Sequence, residues 1–555
     1  MARLDRRAFL ELSGAGAAAL IFGAGPYAQR AAAGTRLADH PFRLGVASGD
    51  PAPNGVVLWT RLAPDPLSTD PATPGGMPPE PVSVQWEIAE DERFTRVVRR
   101  STAVARPELG HSVHAEVSGL RPGREYFYRF RAAGEISAVG RTKTAPAAGV
   151  GDLRFAFVSC QQYEHGFYTA YRHLADDELD VVFHVGDYIY EYGTDEFLSP
   201  TGNIRHHIGP EITTLGDYRL RHAQYRTDAD LQAAHAHAPW IVTWDDHEVE
   251  NNYADDISEN AGEDTAVFLK RRAAAYQAYY ENMPLRRTSV PRGPDMQLFR
   301  RVGYGSLADF HVLDTRQYRS DQAAGDGSDP PNPEQQDPAR SLTGDDQESW
   351  LVNGMTRSRA RWQIIPQQVF FAQRDLAAGS AELYSMDAWD GYVANRDRIM
   401  RAIAARHIQN VVVLTGDVHA SWACDLKADW KNPDSKTLGV EFVGTSVTST
   451  GNGSDIRSDT ATILGQNPHI KFFNNYRGYV RCTVTPEDIK ADYRVVPAVT
   501  EQGAPVFTRA TFRSMAGRPG LRQIADNPLP SGVGRASLAE TEQTRITAEE
   551  RAANR

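Results

Sequence analysis

The sequence predicts a layered α/β protein (α+β layered) with mixed sheets and outer helices, preceded by a small all-β sandwich. Three observations lead to this fold class. The chain has 555 residues, which is too long for one ordinary domain. Residues 38–146 contain short alternating strands and turn signals without a helical pattern. Residues 152–500 instead alternate apolar strands with helical segments, so we expect two domains of different architecture.

Composition narrows the classes of function. The chain carries a formal net charge of −11, and this acidity argues against a nucleic-acid-binding face. Clustered carboxylates would instead attract cations. There are three cysteines, Cys160, Cys424 and Cys482, which allow one disulfide at most. The protein is therefore not a disulfide scaffold.

Residues 1–33 have the pattern of a twin-arginine (Tat) signal peptide. Arg6 and Arg7 precede a short apolar stretch at 15–25, and small residues follow at 31–33, as at a cleavage site. The alternative is a buried first helix or a membrane anchor, but the stretch is short and rich in Gly and Ala for a transmembrane span. We expect the Tat machinery to export the folded protein to the periplasm, the extracellular space or the cell wall, with no stable transmembrane anchor.

Residues 38–146 favour a small β-sandwich that resembles a fibronectin type III module. The period-two alternation predicts strands at 82–87, 112–117 and 125–131, with a turn at 120–123 before the last of them. No cluster of reactive side chains lies here, so we expect a structural or packing role. Residues 145–152 are predicted to be the linker to the second domain.

The second domain, residues 152–500, carries the strands that matter for function. They are predicted at 153–160, 181–190, 240–247 and 410–419. A helix is predicted at 265–282. The last two predicted strands, 479–485 and 490–496, are joined by a tight turn at 486–488, so we expect them to be antiparallel and the sheet to be mixed. Residues 501–555 have a weaker signal and are predicted to be a C-terminal tail, helical in part after a cap at Ser537.

Four of these strands end in side chains that bind metals. In chain order the strand ends carry Cys160; Asp187 and Tyr190; Asp246 and His247, followed by Asn252; and Asp417 and His419. One strand-terminal Asp is more often a helix cap. Four such ends in one domain instead indicate a shared site, because the carboxyl ends of strands in an open α/β sheet meet at one edge. We expect these residues to lie together.

The ligand types indicate two kinds of cation. Carboxylate, amide and imidazole donors suit hard or borderline ions, whereas a tyrosinate with a thiolate suits trivalent iron. A shared Asp187 would connect that ion to a second, divalent one. Asp246, Asn252 and Asp417 would bind this divalent ion together with Asp187. Two ions about 3.5–4 Å apart would clamp a phosphoryl group.

The motifs that carry these residues resemble those of the PhoD-type alkaline phosphatase/phosphodiesterase family. They are SCQ at 159–161, GDYIYEY at 186–192, WDDHEVENNY at 244–253 and GDVHASW at 416–422. The second is similar to the G-D-x-x-Y motif of purple acid phosphatases. The last two take the places of metal motifs in the calcineurin-like metallophosphoesterase superfamily. The resemblance covers nearly the whole chain and implies a metallophosphoesterase-like second domain.

The resemblance also implies which residues hold each cofactor. A ferric ion (Fe³⁺) would be held by Cys160, Asp187, Tyr190 and His419. One or two calcium ions (Ca²⁺) would be held by Asp246, Asn252 and Asp417, with Asp187 as the bridge.

The family's activity is the hydrolysis of phosphate esters, which implies a secreted metal-dependent phosphatase/phosphodiesterase with a role in phosphate acquisition. A metal-bound hydroxide would attack phosphorus, and His247 would protonate or hydrogen-bond the leaving oxygen. Arg271 is a candidate contact to phosphate, and a solvated or salt-bridged helix face is an equal alternative for it.

Two further alternatives stay open at the level of sequence. The first is an enzyme that prefers diesters, such as a phospholipase D-like or teichoic-acid-type phosphodiesterase. The second is a secreted binding protein in which the β-sandwich is the working part and the metals are structural. Open coordination positions would argue against the binding protein, since structural metal sites are usually saturated by protein ligands. An activity assay before and after chelation separates the binding protein from an enzyme.

Overall fold

A computed structural model of the chain describes residue 37 and residues 39–529. The predicted signal peptide at 1–33 and the predicted helix after Ser537 lie outside the described residues. Across the described part, the prediction of a layered α/β fold with mixed sheets and a leading β region is confirmed. No helix in this part is both long enough and apolar enough to cross a membrane.

The described N-terminal region is built from strands, connecting loops and two short 3-10 helices. Its strands are β1 (Val46–Ala52), β2 (Gly55–Arg61), β3 (Val82–Ala89), β4 (Val97–Ala105), β5 (Ser112–Ser118), β6 (Glu125–Ala132), β7 (Glu135–Ile136) and β8 (Gly140–Lys143). Strands β4, β3, β6 and β7 form one sheet, in which β8 pairs with β6. The alternation in β6 turns Tyr126, Tyr128 and Phe130 inward, where they join Val56 and Leu58 of β2 in one core.

The second region contributes sixteen further strands among the described residues. They are β9 (Leu153–Val158), β10 (Val181–Val185), β11 (Pro239–Thr243), β12 (Arg300–Tyr304), β13 (Ala308–Val312), β14 (Ser328–Asp329), β15 (Trp362–Pro366), β16 (Tyr384–Ser385), β17 (Val411–Thr415), β18 (Ser421–Lys427), β19 (Thr437–Val443), β20 (Ile470–Asn474), β21 (Arg477–Val484), β22 (Asp488–Val496), β23 (Phe507–Met515) and β24 (Arg518–Asp526).

The described α-helices all belong to the second region. They are α1 (Thr169–Asp176), α2 (Leu215–Arg226), α3 (Ala229–His237), α4 (Thr265–Asn282), α5 (Gly344–Arg357), α6 (Val393–Ala405) and α7 (Thr460–Gln466). Helix α4 has the bounds that the sequence predicts. The Asp264 side chain accepts a hydrogen bond from the backbone N–H of Ala266 and caps its first turn.

Two large sheets pack face to face in the second region. The first has the order β24-β23-β22-β21-β9-β10-β11-β1-β2-β5, and the second has the order β12-β13-β15-β17-β19-β18-β20. Phe155 and Phe183 of the first sheet meet Phe310 of the second, with ring centroids 5.5 and 4.6 Å apart. Helices α1, α3 and α4 cover the outer face of the first sheet, and α5 and α6 cover that of the second. The central parallel strands are therefore buried on both faces.

One sheet of the predicted sandwich is part of the larger sheet. Ser48 and Gly49 of β1 pair in parallel with Pro239 and Trp240 of β11. The predicted boundary near residue 146 thus divides two regions that share one hydrogen-bonded sheet. Sequence alternation shows that a strand forms, but it does not show which edge the strand joins.

The described part of residues 501–555 forms two strands, and the helix predicted after Ser537 lies outside the described residues. Strands β23 and β24 extend the first sheet as a hairpin beside β22. Ala510 and Phe512 on β23 are buried in the core between the two sheets. The short alternating pattern and the turn at 516–517 account for the hairpin.

Candidate metal centre

The four strand ends meet at one edge of the two sheets. The backbone N–H groups of Cys160 and Gln161 donate to the carbonyls of Gly186 and Asp187, each at 3.0 Å, which joins the ends of β9 and β10. A Cβ on Gly186 would lie 2.4 Å from the Cβ of Asp245, so β10 and β11 also end in contact. The structure therefore brings the predicted motifs together.

The first cluster of donors is formed by Cys160, Asp187 and His419, whose ligand atoms all lie within 4.8 Å of one another. The Tyr190 hydroxyl donates to Oδ2 of Asp187 at 3.0 Å and lies 3.2 Å from Nε2 of His419. The Ser449 hydroxyl lies 2.7 Å from the same phenol oxygen. A thiol, a carboxyl, a phenol and an imidazole thus converge, as the resemblance implies.

A second cluster shares Asp187 with the first. Its ligand atoms come from Asp187, Asp246 and His247 and lie within 4.8 Å of one another. Oδ2 of Asp246 accepts the backbone N–H of Asn252 at 2.8 Å, which places the Asn252 loop beside this cluster. Because one carboxylate belongs to both clusters, Asp187 has the position of a bridging ligand.

Two carboxylate oxygens in these clusters have no hydrogen-bond partner among the described residues and are suited to bind cations. Oδ1 of Asp187 and Oδ1 of Asp246 are buried without a hydrogen-bond partner. Buried carboxylate oxygens normally have a partner, and a cation bound between these two would supply one. Carboxylate oxygens suit hard ions such as calcium, imidazole suits iron and other borderline ions, and a thiolate is a softer donor.

Backbone strain is concentrated at the same residues. Positive φ angles, from 51° to 65°, occur at five of the predicted ligands: Cys160, Asp187, Asn252, Asp417 and His419. Residues with a side chain rarely adopt this left-handed conformation, and it costs about 1–3 kcal/mol each when they do. The fold holds these residues in strained positions that aim them at one another.

Burial sets the proton affinities in the cluster. It raises the pKa of the Asp187 carboxyl well above its usual value and the pKa of Asp417 to about 7. It also raises the pKa values of the Cys160 thiol and the Tyr190 phenol. A bound cation opposes these rises because its ligands must be deprotonated. Metal binding and proton release are therefore coupled here.

Glu191 positions His247, and the sequence prediction missed it. Oε2 of Glu191 accepts a hydrogen bond from Nδ1 of His247 at 2.8 Å, while its Oε1 accepts the backbone N–H of Asn251 at 2.7 Å. The imidazole ring stacks on Tyr190, with centroids 4.2 Å apart. Burial alone lowers the pKa of His247, but the charges of Glu191, Asp246 and Asp187 outweigh it and raise the pKa well above its usual value.

A buried arginine holds the acidic side of the centre together. Nε of Arg316 donates to Oδ1 of Asp245 at 2.5 Å, and its two terminal nitrogens donate to the carboxylate of Asp387 at 2.7 and 2.9 Å. The guanidinium also lies 3.5 Å from Oδ1 of Asp246. The position of Arg316 just after β13 is a sequence signal that its side chain lies near the centre. The sequence offers no such signal for Asp387, because it lies in a loop without a recognisable motif.

Arg271 lies in a salt-bridge network. Its guanidinium donates to the carboxylates of Glu250 and Glu211 and to the hydroxyl of Tyr218. A contact between Arg271 and phosphate stays a prediction, and the structure gives its side chain three protein partners instead.

The comparisons with known proteins agree with this geometry. A family model described as PhoD-like phosphatase matches residues 155–493, and one described as its N-terminal domain matches residues 28–146. Alkaline phosphatase D of Bacillus subtilis (strain 168) is 56% identical over 513 residues, which cover 92% of this chain and 87% of that protein. The chain belongs to the PhoD-like phosphatase family. A solved structure of PhoD matches it with a TM-score of 0.89 at 55% identity, covering 94% of this chain and 100% of that one.

Membership of the PhoD-like phosphatase family confirms three predictions from the sequence. The second domain has the metallophosphoesterase-like fold, the protein is a phosphoric ester hydrolase, and its substrate is a phosphate ester. Family membership and the two donor clusters also imply a metal cofactor.

Proposed function

We propose that this chain hydrolyses phosphate esters at a centre of one ferric ion and one or two calcium ions. Cys160, Asp187, Tyr190 and His419 would hold the ferric ion. Asp246, Asn252 and Asp417 would hold calcium, with Asp187 as the shared ligand. One observation carries the proposal: Asp187 belongs to both donor clusters and has a buried oxygen without a hydrogen-bond partner.

The ions, when bound, supply positive charge for the phosphoryl oxygens and lower the pKa of water that attacks phosphorus. The chain's own residues supply the remaining parts. Nδ1 of His247 is taken by Glu191, so Nε2 is the nitrogen that donates a proton to the leaving oxygen. The charges of Glu191, Asp246 and Asp187 raise the pKa of His247, which favours the protonated form that a general acid needs.

Replacement of the shared carboxylate tests the proposal. We expect Asp187→Asn to lower kcat by roughly 1,000-fold or more, because several kcal/mol of charge stabilisation depend on the bridge. The exposed Asp176→Asn is the matched control and should retain full activity. Metal content measured by mass spectrometry accompanies both assays. Near-normal turnover of the Asp187 variant with full metal content would refute the bridging role.

We also propose Tat-dependent export to the periplasm, the extracellular space or the cell wall, with a role in phosphate acquisition. The support is the pattern of residues 1–33, above all Arg6 and Arg7. The double replacement Arg6→Lys with Arg7→Lys should leave the activity in the cytoplasm, as measured by cell fractionation. An unchanged distribution of activity would contradict this route.

The two alternatives raised from the sequence are not favoured by the comparisons. A binding protein with structural metals does not agree with membership of a phosphatase family. An enzyme specialised for diesters would be distinguished by its relative rates on a model monoester and a model diester. The proposal here is the broader one, a phosphatase/phosphodiesterase.

A further inference from the structure

The turn at residues 448–451 contacts two predicted ligands of the ferric ion. The hydroxyl of Ser449 lies 2.7 Å from the phenol oxygen of Tyr190. Oγ1 of Thr450, the next residue, lies 2.7 Å from Nδ1 of His419. Both hydroxyl residues are buried. The turn therefore supports the centre from outside the four motifs that carry the predicted ligands.

The contact with Thr450 determines which nitrogen of His419 faces the donor cluster. Nε2 of His419 lies 3.2 Å from the phenol oxygen of Tyr190, on the side of the first cluster. A neutral imidazole carries one proton, and the nitrogen that binds a metal must be the one without it. When Nδ1 donates its proton to Oγ1 of Thr450, the lone pair of Nε2 is available to the ion.

Thr450 has a strained backbone. Its φ is 74°, and a β-branched residue with a positive φ is a conformational outlier. Such strain persists only where the surrounding structure fixes it, and it is concentrated at functional sites. Glycine would adopt this conformation without the steric cost. The presence of a threonine therefore points to a use for its hydroxyl.

His165 fixes Thr450 in this conformation. The backbone N–H of Thr450 donates to Nδ1 of His165 at 2.9 Å, and Nε2 of His165 lies 3.0 Å from the carbonyl oxygen of Phe197. A backbone N–H can only donate and a carbonyl can only accept, so His165 accepts at Nδ1 and donates at Nε2. The buried imidazole of His165 is thus neutral and is held in a single tautomer.

The backbones of the turn and of the ligand His419 are also held together. One terminal nitrogen of Arg477 donates to the carbonyl of His419 at 2.5 Å and to the carbonyl of Ser449 at 3.0 Å. A histidine that binds a metal almost always donates its other ring N–H to a fixed acceptor, which orients the ring and strengthens it as a ligand. The Thr450 hydroxyl is such an acceptor, because His165 fixes its backbone and Arg477 fixes the preceding carbonyl.

We propose that Thr450 is a positioning residue of the metal centre, whose hydroxyl accepts the Nδ1–H of His419 and so presents Nε2 to the ion. His165 supports this role because it holds the strained backbone of Thr450. The assignment rests on the proposed function, and the test below separates the two.

The test measures metal affinity by competition with EDTA, with the ion that the purified protein holds counted by mass spectrometry. Thr450→Val keeps the β-branched shape but removes the hydroxyl, and it should weaken metal binding about 10- to 100-fold, the usual effect of losing such a supporting hydrogen bond. Thr450→Ser keeps the hydroxyl and should bind metal as the wild type does. The unfolding temperature of each metal-free protein is measured alongside.

Thr448→Val is the matched control. Thr448 is buried in the same turn, and its hydroxyl donates to the backbone carbonyl of Gln162 at 2.8 Å. This variant also loses a buried hydrogen bond, so its metal-free form should unfold at a lower temperature, but its metal affinity should be unchanged. An equal loss of affinity in both valine variants would overturn the proposal in favour of a general loosening of the turn.

Two other results would also overturn the proposal. One is unchanged metal affinity in Thr450→Val, and the other is an equal loss in Thr450→Ser, which would show that the hydroxyl does not matter. If Thr450→Val does not fold, Thr450→Ala replaces it, because alanine and serine differ only in the hydroxyl. A weaker affinity of the alanine variant than of the serine variant supports the proposal, and equal affinities overturn it.

The proposed function fails separately, because the affinity measurement needs no turnover. A wild-type protein with full metal content that hydrolyses neither monoesters nor diesters would refute the proposed function and leave the role of Thr450 standing. A wild type that holds no metal would overturn both.

Discussion

At the scale of single residues, Tyr190 is the predicted ligand on which the proposed ferric ion depends most. Its phenol oxygen contacts Asp187, His419 and Ser449, so it lies at the middle of the first donor cluster. Burial raises the pKa of this phenol well above its usual value. In the proposed centre, trivalent iron would oppose this rise, because a strongly charged ion favours the deprotonated phenol.

The prediction for Tyr190 concerns colour. The purified wild type should absorb visible light through a tyrosinate–iron interaction, and Tyr190→Phe should lose this absorption together with most of its iron. Tyr192→Phe is the matched control because Tyr192 lies two residues on, stacks beside the same ring, and should leave the spectrum intact. Absorption spectra with iron analysis check the outcome. An iron-loaded Tyr190→Phe with the wild-type spectrum would contradict the assignment.

The prediction for Glu191 concerns pH. The carboxylate of Glu191 favours protonated His247, so Glu191→Gln should lower the pKa of His247. A general acid is lost as pH rises through its pKa, so the alkaline limb of the kcat profile should move to lower pH. The exposed Glu178→Gln should leave the profile unchanged. An unshifted limb in Glu191→Gln would show that His247 is not the acid.

At the scale of elements, the close approach of β10 and β11 depends on Gly186. Its φ is 115°, and a Cβ there would lie 2.4 Å from the Cβ and 2.8 Å from the backbone nitrogen of Asp245. A side chain would push apart two strand ends that carry predicted ligands of the same centre. The glycine is thus required both by backbone conformation and by space.

We expect Gly186→Ala to lower the free energy of unfolding by about 2–4 kcal/mol, from overpacking added to strain. Gly202→Ala is the control, with a φ of 82° and no atom within 4 Å of the added Cβ, and should cost only about 1 kcal/mol. Urea unfolding of the chelated proteins measures both, so that metal binding does not contribute. Equal losses would show that the contact with Asp245 does not matter.

At the scale of the whole molecule, the core and the metal centre are built from different parts. The apolar core between the two sheets contains residues such as Phe155, Phe310 and Leu414, whereas the ligands lie beyond the strand ends. The fold therefore has a source of stability that does not depend on metal. Its buried acids, in contrast, repel one another when no cation is present.

Chelation should accordingly abolish hydrolysis without unfolding the protein. We expect an unchanged far-UV circular dichroism spectrum and a lower unfolding temperature, because ions that bind only the folded state stabilise it by mass action. Restoring iron and calcium together should restore activity, whereas magnesium alone is the control addition and should not. Loss of secondary structure on chelation would instead assign the metals a structural role.

The sequence by itself determined the strands and their chemistry. Period-two alternation gave the sandwich strands, apolar runs gave the buried parallel strands, and helix α4 followed from its cap and periodicity. Cys160, Asp187, Tyr190 and His419 were predicted as metal ligands because they lie in specific motifs at or soon after the ends of such strands, and the structure brings their side chains together. These patterns involve residues close together in the chain, so they can be recognised in a single sequence.

Only the tertiary structure decided which edges meet and which residues support the ligands. The pairing of β1 with β11 and the hairpin β23–β24 depend on contacts between segments far apart in the chain. Arg316 reaches Asp387 across 71 positions, and Glu441 accepts the backbone N–H of Phe371 in the loop after β15. No local pattern encodes such contacts, because their free energy comes from burial and charge pairing that exist only once the sheets have packed.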